Sequence, residues 1–342
     1  MSGGDRVRTV ITMTTAAARD VVLELASAHA PARAIQVVAD LGVADAISEH
    51  PRTEEELAVT LGVDADALGR VLRLLEAYGV FVRDGDRAWN HNDASRLLRT
   101  DDPGSLRSYV RMSGTPFNWG SFTHLEYSLR TGKPGVTQLG AAGWLQYLDA
   151  HPDEHEVFQD AMTAKARADV AAVLATYDFG RHERVADVGG GHGHLVDAVL
   201  ARHPAVHGVL FELPQVASEV TPHDRLDVVG GDFFVDPLPA CDAYVLMNVI
   251  HDWDDDKAVT ILAAAADAGK SRGASVLLVE AILPEGAEPH RAKVLDAIML
   301  AVTGGRERTL RQYERLLSRA GLELVAKTPT ATTFSIIEAR PR

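Results

Sequence analysis

The chain has 342 residues, 46% hydrophobic and 24% charged, the make-up of an ordinary folded protein long enough for more than one core. Its 34 Lys and Arg face 48 Asp and Glu, a net charge of −14, which argues against a nucleic-acid partner and favours cationic ligands over anionic ones. The single Cys241 permits no internal disulfide, and no 18-residue apolar run or secretory leader is seen, so a cytoplasmic protein with no membrane association is expected.

The first dozen residues read as a loose tail. From about Thr15 to Glu49, Ala, Leu and Val recur at helical spacing, with a break expected at Pro31 and with Ile35, Val38 and Leu41 on one face. Thr53 with Glu56 carries a capping-box signature, and Asp64 opens a further helix. 'FVRDGDRAWN' predicts two short strands around a Gly-containing turn. Helices followed by a small hairpin make residues 1–100 a winged-helix-like unit. The helix that would read DNA carries Arg70 and Arg73 against Asp64, Asp66 and Glu76, so packing or dimerisation is expected there instead.

Residues 101–175 read as a helical connecting region, aromatic-rich at 'GTPFNWGSF' and ending in one long helix from 'PDEHEVFQ' to 'LATYDF'. From 176 to 342 strands and helices alternate: 'RVADVG', 'GVLFE', 'DVVGGD', 'DAYVLMNV' and 'ASVLLVE' are the strands. This predicts an α/β, Rossmann-like domain with a mostly parallel sheet, closed by a C-terminal antiparallel hairpin, 'LELVAK…TTFSIIEAR'.

The first strand of that domain ends in Asp187 and runs into four glycines within five residues, Gly189 to Gly193. The dinucleotide pattern G-x-G-x-x-G fails, because counting from Gly189 or Gly191 puts His194 or Val196 at the sixth position. A phosphate loop fails at Gly269-Lys270-Ser271, where Ala264 replaces the first glycine; Gly269 reads instead as a helix C-cap. A second acid, Glu212, ends the next strand, where a carboxylate can accept both ribose hydroxyls of an adenosine, and Asp232 follows the third strand. Acids at successive strand ends suit a ligand with an amine, an adenosine and a positive charge, which is S-adenosylmethionine.

In order and spacing, 'VADVGGGHG', 'FELPQV', 'GGDFF', 'NVIHDWDDD', 'LLVEAILP' and 'GGRERT' resemble the S-adenosylmethionine-dependent O-methyltransferases. The similarity is to the plant caffeate type and to its bacterial relatives acting on antibiotics and other aromatic metabolites. It covers nearly the whole chain, since that family also has an N-terminal dimerisation domain. It implies a homodimer, in keeping with first helices too apolar to stand alone in water. It also implies a general base at His251 flanked by Glu280 and Glu307, the chemistry a phenol titrating near 10 requires. The implied donor contacts are Asp187, Gly189, Gly191, Glu212, Leu213, Gly231, Asp232, Phe233 and Trp253. Glu212 replaces the more common Asp, and Met247 stands where plant members often carry Lys. For a small aromatic acceptor, Phe117, Trp119, Phe158, Met162 and Met299 match pocket regions, with Asn248 and Asp296 as polar contacts.

Other chemistries remain open at this stage. His192 and His194 with 'HDWDDD' suggest a metal-dependent hydrolase, but the pair sits at a helix N-terminus, unfavourable to cations, and Asp254, Asp255 and Asp256 more simply start and cap a helix. No metal is expected. The intact set of His251, Glu280 and Glu307 argues against a protein of this fold that binds the donor but catalyses hydroxylation, and the acidic helix argues against a transcription regulator; methylation of nitrogen or carbon is the remaining alternative.

Overall fold

A computed structural model describes residues 15–85 and 88–342, and the expected N-terminal tail lies outside them. The chain divides into two units, Met1–Arg111 and Met112–Arg342. Among the described residues no helix is long and apolar enough to cross a membrane.

The first unit begins with helices Thr15–Ser27, His29–Leu41 and Val43–Ile47. The first break falls at Ala28 and not at Pro31. Pro31 lies in the first turn of the second helix, where its missing N–H had no intrahelical partner to lose. The buried face of that helix is Ala34, Gln36, Val38 and Ala39; Ile35 is only half-buried, and Leu41 is exposed beside the left-handed Gly42 (φ 71°) that ends the helix. Thr53 accepts from Glu56 N, and the Glu56 carboxylate accepts from Thr53 N, completing the predicted capping box. Asp64 caps helix Ala65–Ala77 as expected. Strands Arg52–Thr53 (β1), Val82–Asp84 (β2) and Ala88–Asn90 (β3) form a small antiparallel sheet in the order β1-β3-β2. The predicted hairpin is β2–β3, and β1 joins it just before the cap. Arg73 lies 3.4 Å from Glu54, and Glu76 lies 3.1 Å from Arg83, so acids engage the cations of this unit.

The second unit opens with short helices, among them Pro116–Thr123, Leu125–Thr131 and Trp144–Ala150, and then the long helix Pro152–Thr176. The stretch is more regular than its sequence suggests, because glycines at 132 and 140 end helical turns that are too short to show periodicity. The large sheet follows: Arg184–Val188 (β4), His207–Glu212 (β5), Leu226–Gly230 (β6), Ala243–Met247 (β7), Ser275–Ala281 (β8), Leu322–Pro329 (β9) and Phe334–Pro341 (β10). Its order is β6-β5-β4-β7-β8-β10-β9, parallel from β6 to β8, with β10 antiparallel to both of its neighbours. Helices on both faces explain the near-continuous apolar runs of β4, β7 and β8.

Gly269 needs correction as a C-cap. It ends helix Asp255–Gly269 with φ −87°, and the left-handed residue is Gly273. Gly269 serves close packing instead, since a Cβ there would lie 2.6 Å from Ala274 Cβ. The strand order supplies what the site needs. The chain builds β5 and β6 to one side of β4 and then returns to lay β7 on the other, so the loops after β4 and β7 part and leave a crevice at the carboxyl ends of the strands.

Candidate active site

After β4 the chain turns through Gly189 (φ 69°), Gly191 (φ 59°) and Gly193 (φ 81°), backbone conformations that side chains rarely tolerate. A Cβ on Gly189 would also stand 3.1 Å from Val249 Cγ2. Asp187 folds beneath this turn. Its Oδ2 accepts from Val196 N at 3.2 Å and so pins the start of helix His194–Arg202. Burial pushes its carboxyl up to about 7. At the end of β5, Glu212 Oε2 accepts from Gly191 N at 2.9 Å and Oε1 from Leu213 N at 2.7 Å, so one carboxylate ties adjacent strand ends together. Beyond β6, Gly231 has no side chain because the Phe211 ring comes within 2.6 Å of where its Cβ would be. Asp232 Oδ1 accepts from Phe234 N at 2.9 Å. Phe233 meets Trp253 edge to face, ring centres 6.1 Å apart, which links the β6 loop to the β7 loop.

That second loop carries the imidazole. β7 ends at Met247, and Asn248 takes φ 57°, a left-handed conformation for which Asn is among the better-suited residues. The reversal leads into the tight turn Ile250–Asp252. Val249 N and Ile250 N both donate to Glu280 Oε1, at 3.2 and 2.8 Å, anchoring the turn to β8. From the other side Arg306 N donates to the His251 carbonyl at 2.7 Å, and Glu307 N donates to Asp296 Oδ1 at 2.9 Å. His251 Nδ1 thereby lies 3.2 Å from Glu280 Oε2 and 3.2 Å from Glu307 Oε1. Both carboxylates are wholly buried, while the imidazole keeps 12% of its surface exposed. At 3.2 Å each carboxylate is close enough to pair with the ring, and the pairing becomes ionic when the imidazole takes its second proton.

Burial by itself would lower the His251 imidazole, but the charge of Glu280, supported by Asp252 and Glu307, holds it well above 6.5. Burial likewise pushes Glu307 up, and pushes Asp252 up to about 6. Asp252 Oδ1 lies 3.8 Å from Nε2, the ring nitrogen opposite the glutamates. Its only trace in the sequence is its place next to His251.

The remaining candidates fall in different places. Asn248 stands in the loop after β7 that carries His251, and Asp296, on helix Arg291–Val302, holds Glu307 N beside it. Phe117 is fully buried, stacked on Tyr147 with ring centres 5.4 Å apart and edge-on to Phe158 at 6.4 Å, in a cluster with Val136, Leu148 and Val302. Trp119 and Met162 are half-buried on helices Pro116–Thr123 and Pro152–Thr176. Met299, also half-buried, receives a contact from Thr303 Oγ1 at 3.6 Å. His192 lies 3.0 Å from Glu219, and its ring centre is 6.5 Å from that of His194. Among the described residues, the group whose atoms converge closely enough to hold a cation is His251, Glu280 and Glu307, not the histidine pair. Asp254 caps helix Asp255–Gly269, accepting from Asp256 N and Lys257 N.

A doubly wound sheet with a glycine turn and acids at successive strand ends is the architecture of a nucleoside-cofactor enzyme. Residues 122–323 match the O-methyltransferase domain family, and residues 23–101 match the O-methyltransferase dimerisation domain. The chain belongs to the S-adenosylmethionine-dependent O-methyltransferase family. It is 34% identical to the phenazine O-methyltransferase of Lysobacter antibioticus, over 94% of this chain and 96% of that one. It is 34% identical to the 8-amino-8-demethylriboflavin N,N-dimethyltransferase of Streptomyces davaonensis, over 90% of each. Among solved structures it resembles an O-methyltransferase from neocarzinostatin biosynthesis, crystallised with S-adenosylmethionine and 2-hydroxy-5-methyl naphthoic acid. That likeness has a TM-score of 0.75 and 35% identity, covering 92% of this chain and 96% of that one.

Proposed function

We propose that this enzyme transfers a methyl group from S-adenosylmethionine to a hydroxyl of a small aromatic natural product, with His251 as general base. The observation that carries this is the placement of Nδ1 between two fully buried carboxylates, 3.2 Å from each. A proton held on Nδ1 leaves Nε2 as the basic nitrogen, and the glutamates stabilise the imidazolium once Nε2 is protonated.

The residues at the glycine turn fit the donor. The bare backbone at Gly189 and Gly191 allows close approach, and Glu212 and Asp232 offer carboxylates rather than a phosphate cradle. Glu212 is assigned to the ribose hydroxyls, and Asp232 with Phe233 to the adenine side. Leu213, Gly231 and Trp253 complete the walls, and Asp187 braces the turn from below. When bound, S-adenosylmethionine supplies an electrophilic methyl group on a cationic sulfur and leaves as S-adenosylhomocysteine. His251 Nε2 takes the hydroxyl proton as the acceptor oxygen bonds to the methyl carbon. Asn248 and Asp296 orient the acceptor, and the aromatic and Met side chains at 117, 119, 158, 162 and 299 shape its pocket. The protein works as a cytoplasmic homodimer joined through its N-terminal unit.

A nitrogen acceptor is the second reading, favoured by the riboflavin-type N,N-dimethyltransferase among the relatives. Transfer of labelled methyl to matched phenols and anilines tests both. Labelling of phenols supports the proposal, labelling confined to anilines replaces it with N-methylation, and labelling of neither overturns both.

A further inference from the structure

Arg308, the second arginine of 'GGRERT', has no part in the chemistry above, yet it is one of the largest fully buried side chains, 1% exposed. Burying a permanent cation is costly unless every donor is used. Here the donors are spent on the loop that carries the base. Nη1 donates to the Ile250 carbonyl at 3.1 Å, and Nη2 to the Trp253 carbonyl at 2.8 Å. These two carbonyls flank the turn Ile250–Asp252 on either side of His251. Nε and Nη2 also donate to Asp255 Oδ1, at 3.0 and 2.9 Å, and Nη1 makes a longer bond to Arg306 O at 3.4 Å. The backbone of Arg308 is itself fixed to the end of β8, paired in parallel with Ile282 and accepting from Leu283 N at 2.9 Å.

We infer that Arg308 is a positioning residue for methyl transfer: its guanidinium fork holds the carbonyls of Ile250 and Trp253 and thereby fixes the His251 ring between Glu280 and Glu307. This rests on His251 being the base. The planar fork is what reaches both carbonyls and Asp255 together; a lysine ammonium in its place keeps the charge but not this geometry. The fork reaches the donor side only through the Trp253 carbonyl and does not touch the glycine turn, so its main effect falls on the base and a smaller one on donor binding.

The test uses the full-length enzyme as wild type, Arg308→Lys, Asp255→Asn and His251→Asn, measured side by side with one phenolic acceptor. Arg308→Lys is expected to lower kcat about 10- to 100-fold, because a small misplacement of a reacting group costs rate steeply. The KM for donor and the calorimetric affinity for S-adenosylhomocysteine should change by several-fold less than kcat, the mark of an interaction that matters most in the chemical step. Asp255→Asn should keep kcat within about threefold of wild type, since both carbonyl bonds remain. A folded Arg308→Lys enzyme with wild-type kcat overturns the inference. So does an Asp255→Asn enzyme as slow as His251→Asn, which would assign the role to the ion pair; that arm decides the matter even if Arg308→Lys does not fold. If His251→Asn retains full kcat, the base assignment fails instead, and the two failures are told apart.

Discussion

Replacing Gly305 by alanine adds one methyl group against the backbone that carries the base. A Cβ at 305 would collide with the His251 carbonyl oxygen and lie 2.6 Å from the Asp252 carbonyl carbon, where ordinary contact begins at 3.4 Å. The obstacle is backbone, so it cannot swing aside as a side chain does, and the two segments must part by at least about 0.8 Å, the shortfall at that carbon, and by more at the oxygen. Overpacking of this kind costs about 1–3 kcal/mol. For a unit the size of Met112–Arg342, that lowers Tm by about 2–4 °C per kcal/mol. The same displacement carries the imidazole with it, and a shift approaching 1 Å at a reacting group costs about 100-fold in rate. Calorimetric binding of S-adenosylhomocysteine should change less than the transfer rate, because the glycine turn after β4 is untouched and only Trp253 of the donor walls adjoins the displaced backbone. Thermal unfolding and single-turnover methyl transfer read the two effects separately. An alanine variant with wild-type Tm and wild-type transfer rate would refute the packing of 'GGRERT' against the His251 loop.

The remaining predictions concern charge and assembly. A base must begin uncharged, so a His251 pKa held well above 6.5 puts the acid limb of kcat/KM at higher pH than an ordinary imidazole would; Glu280→Gln removes the chief raising charge and should move that limb down, as a pH profile will show. Asp187 is raised from 3.8 to about 7, so the folded state holds its proton more tightly, and stability is lost as pH climbs between those values, by up to about 4 kcal/mol at 1.36 kcal/mol per unit. Asp187→Asn should therefore gain in Tm relative to wild type on going from pH 5 to pH 8, and equal differences at both would contradict that. Val22 and Leu25 are 66% and 72% exposed on helix Thr15–Ser27; light scattering should give twice the 36.8 kDa chain mass for the wild type and a lower mass for the double glutamate variant at these sites. Transfer should be unchanged by a chelator, with a marked loss pointing to a cation among His251, Glu280 and Glu307.

Much of this arrangement was legible in the sequence because it rests on local chemistry. The capping box at Thr53 and Glu56, the cap at Asp254 and the glycine turn after Asp187 each use short-range rules that a string of residues displays directly. The break at Pro31 failed because proline's effect depends on its position in a helix, which only the start at His29 reveals. Gly269 misled for a similar reason: its smallness answers Ala274 and Tyr244 across the fold, not the helix end. The two glutamates at His251 were reached through family resemblance, since 27 residues separate Glu280 from Glu307 and no local rule joins them. Asp252 and Arg308 stayed unread because their importance lies in the distance to Nε2 and in two backbone carbonyls, quantities that no side-chain pattern records.

The central claim is that His251 removes the acceptor's proton, and acceptors of graded acidity test it most directly. Methyl transfer should be followed for wild type and His251→Ala with a series of phenols running from weakly acidic ones, near 10, to ones already ionised at neutral pH. The account predicts a large loss in the variant for weakly acidic phenols that shrinks steadily as the acceptor becomes ionised on its own. A loss that is the same for every phenol, or no loss for the least acidic one, would contradict it.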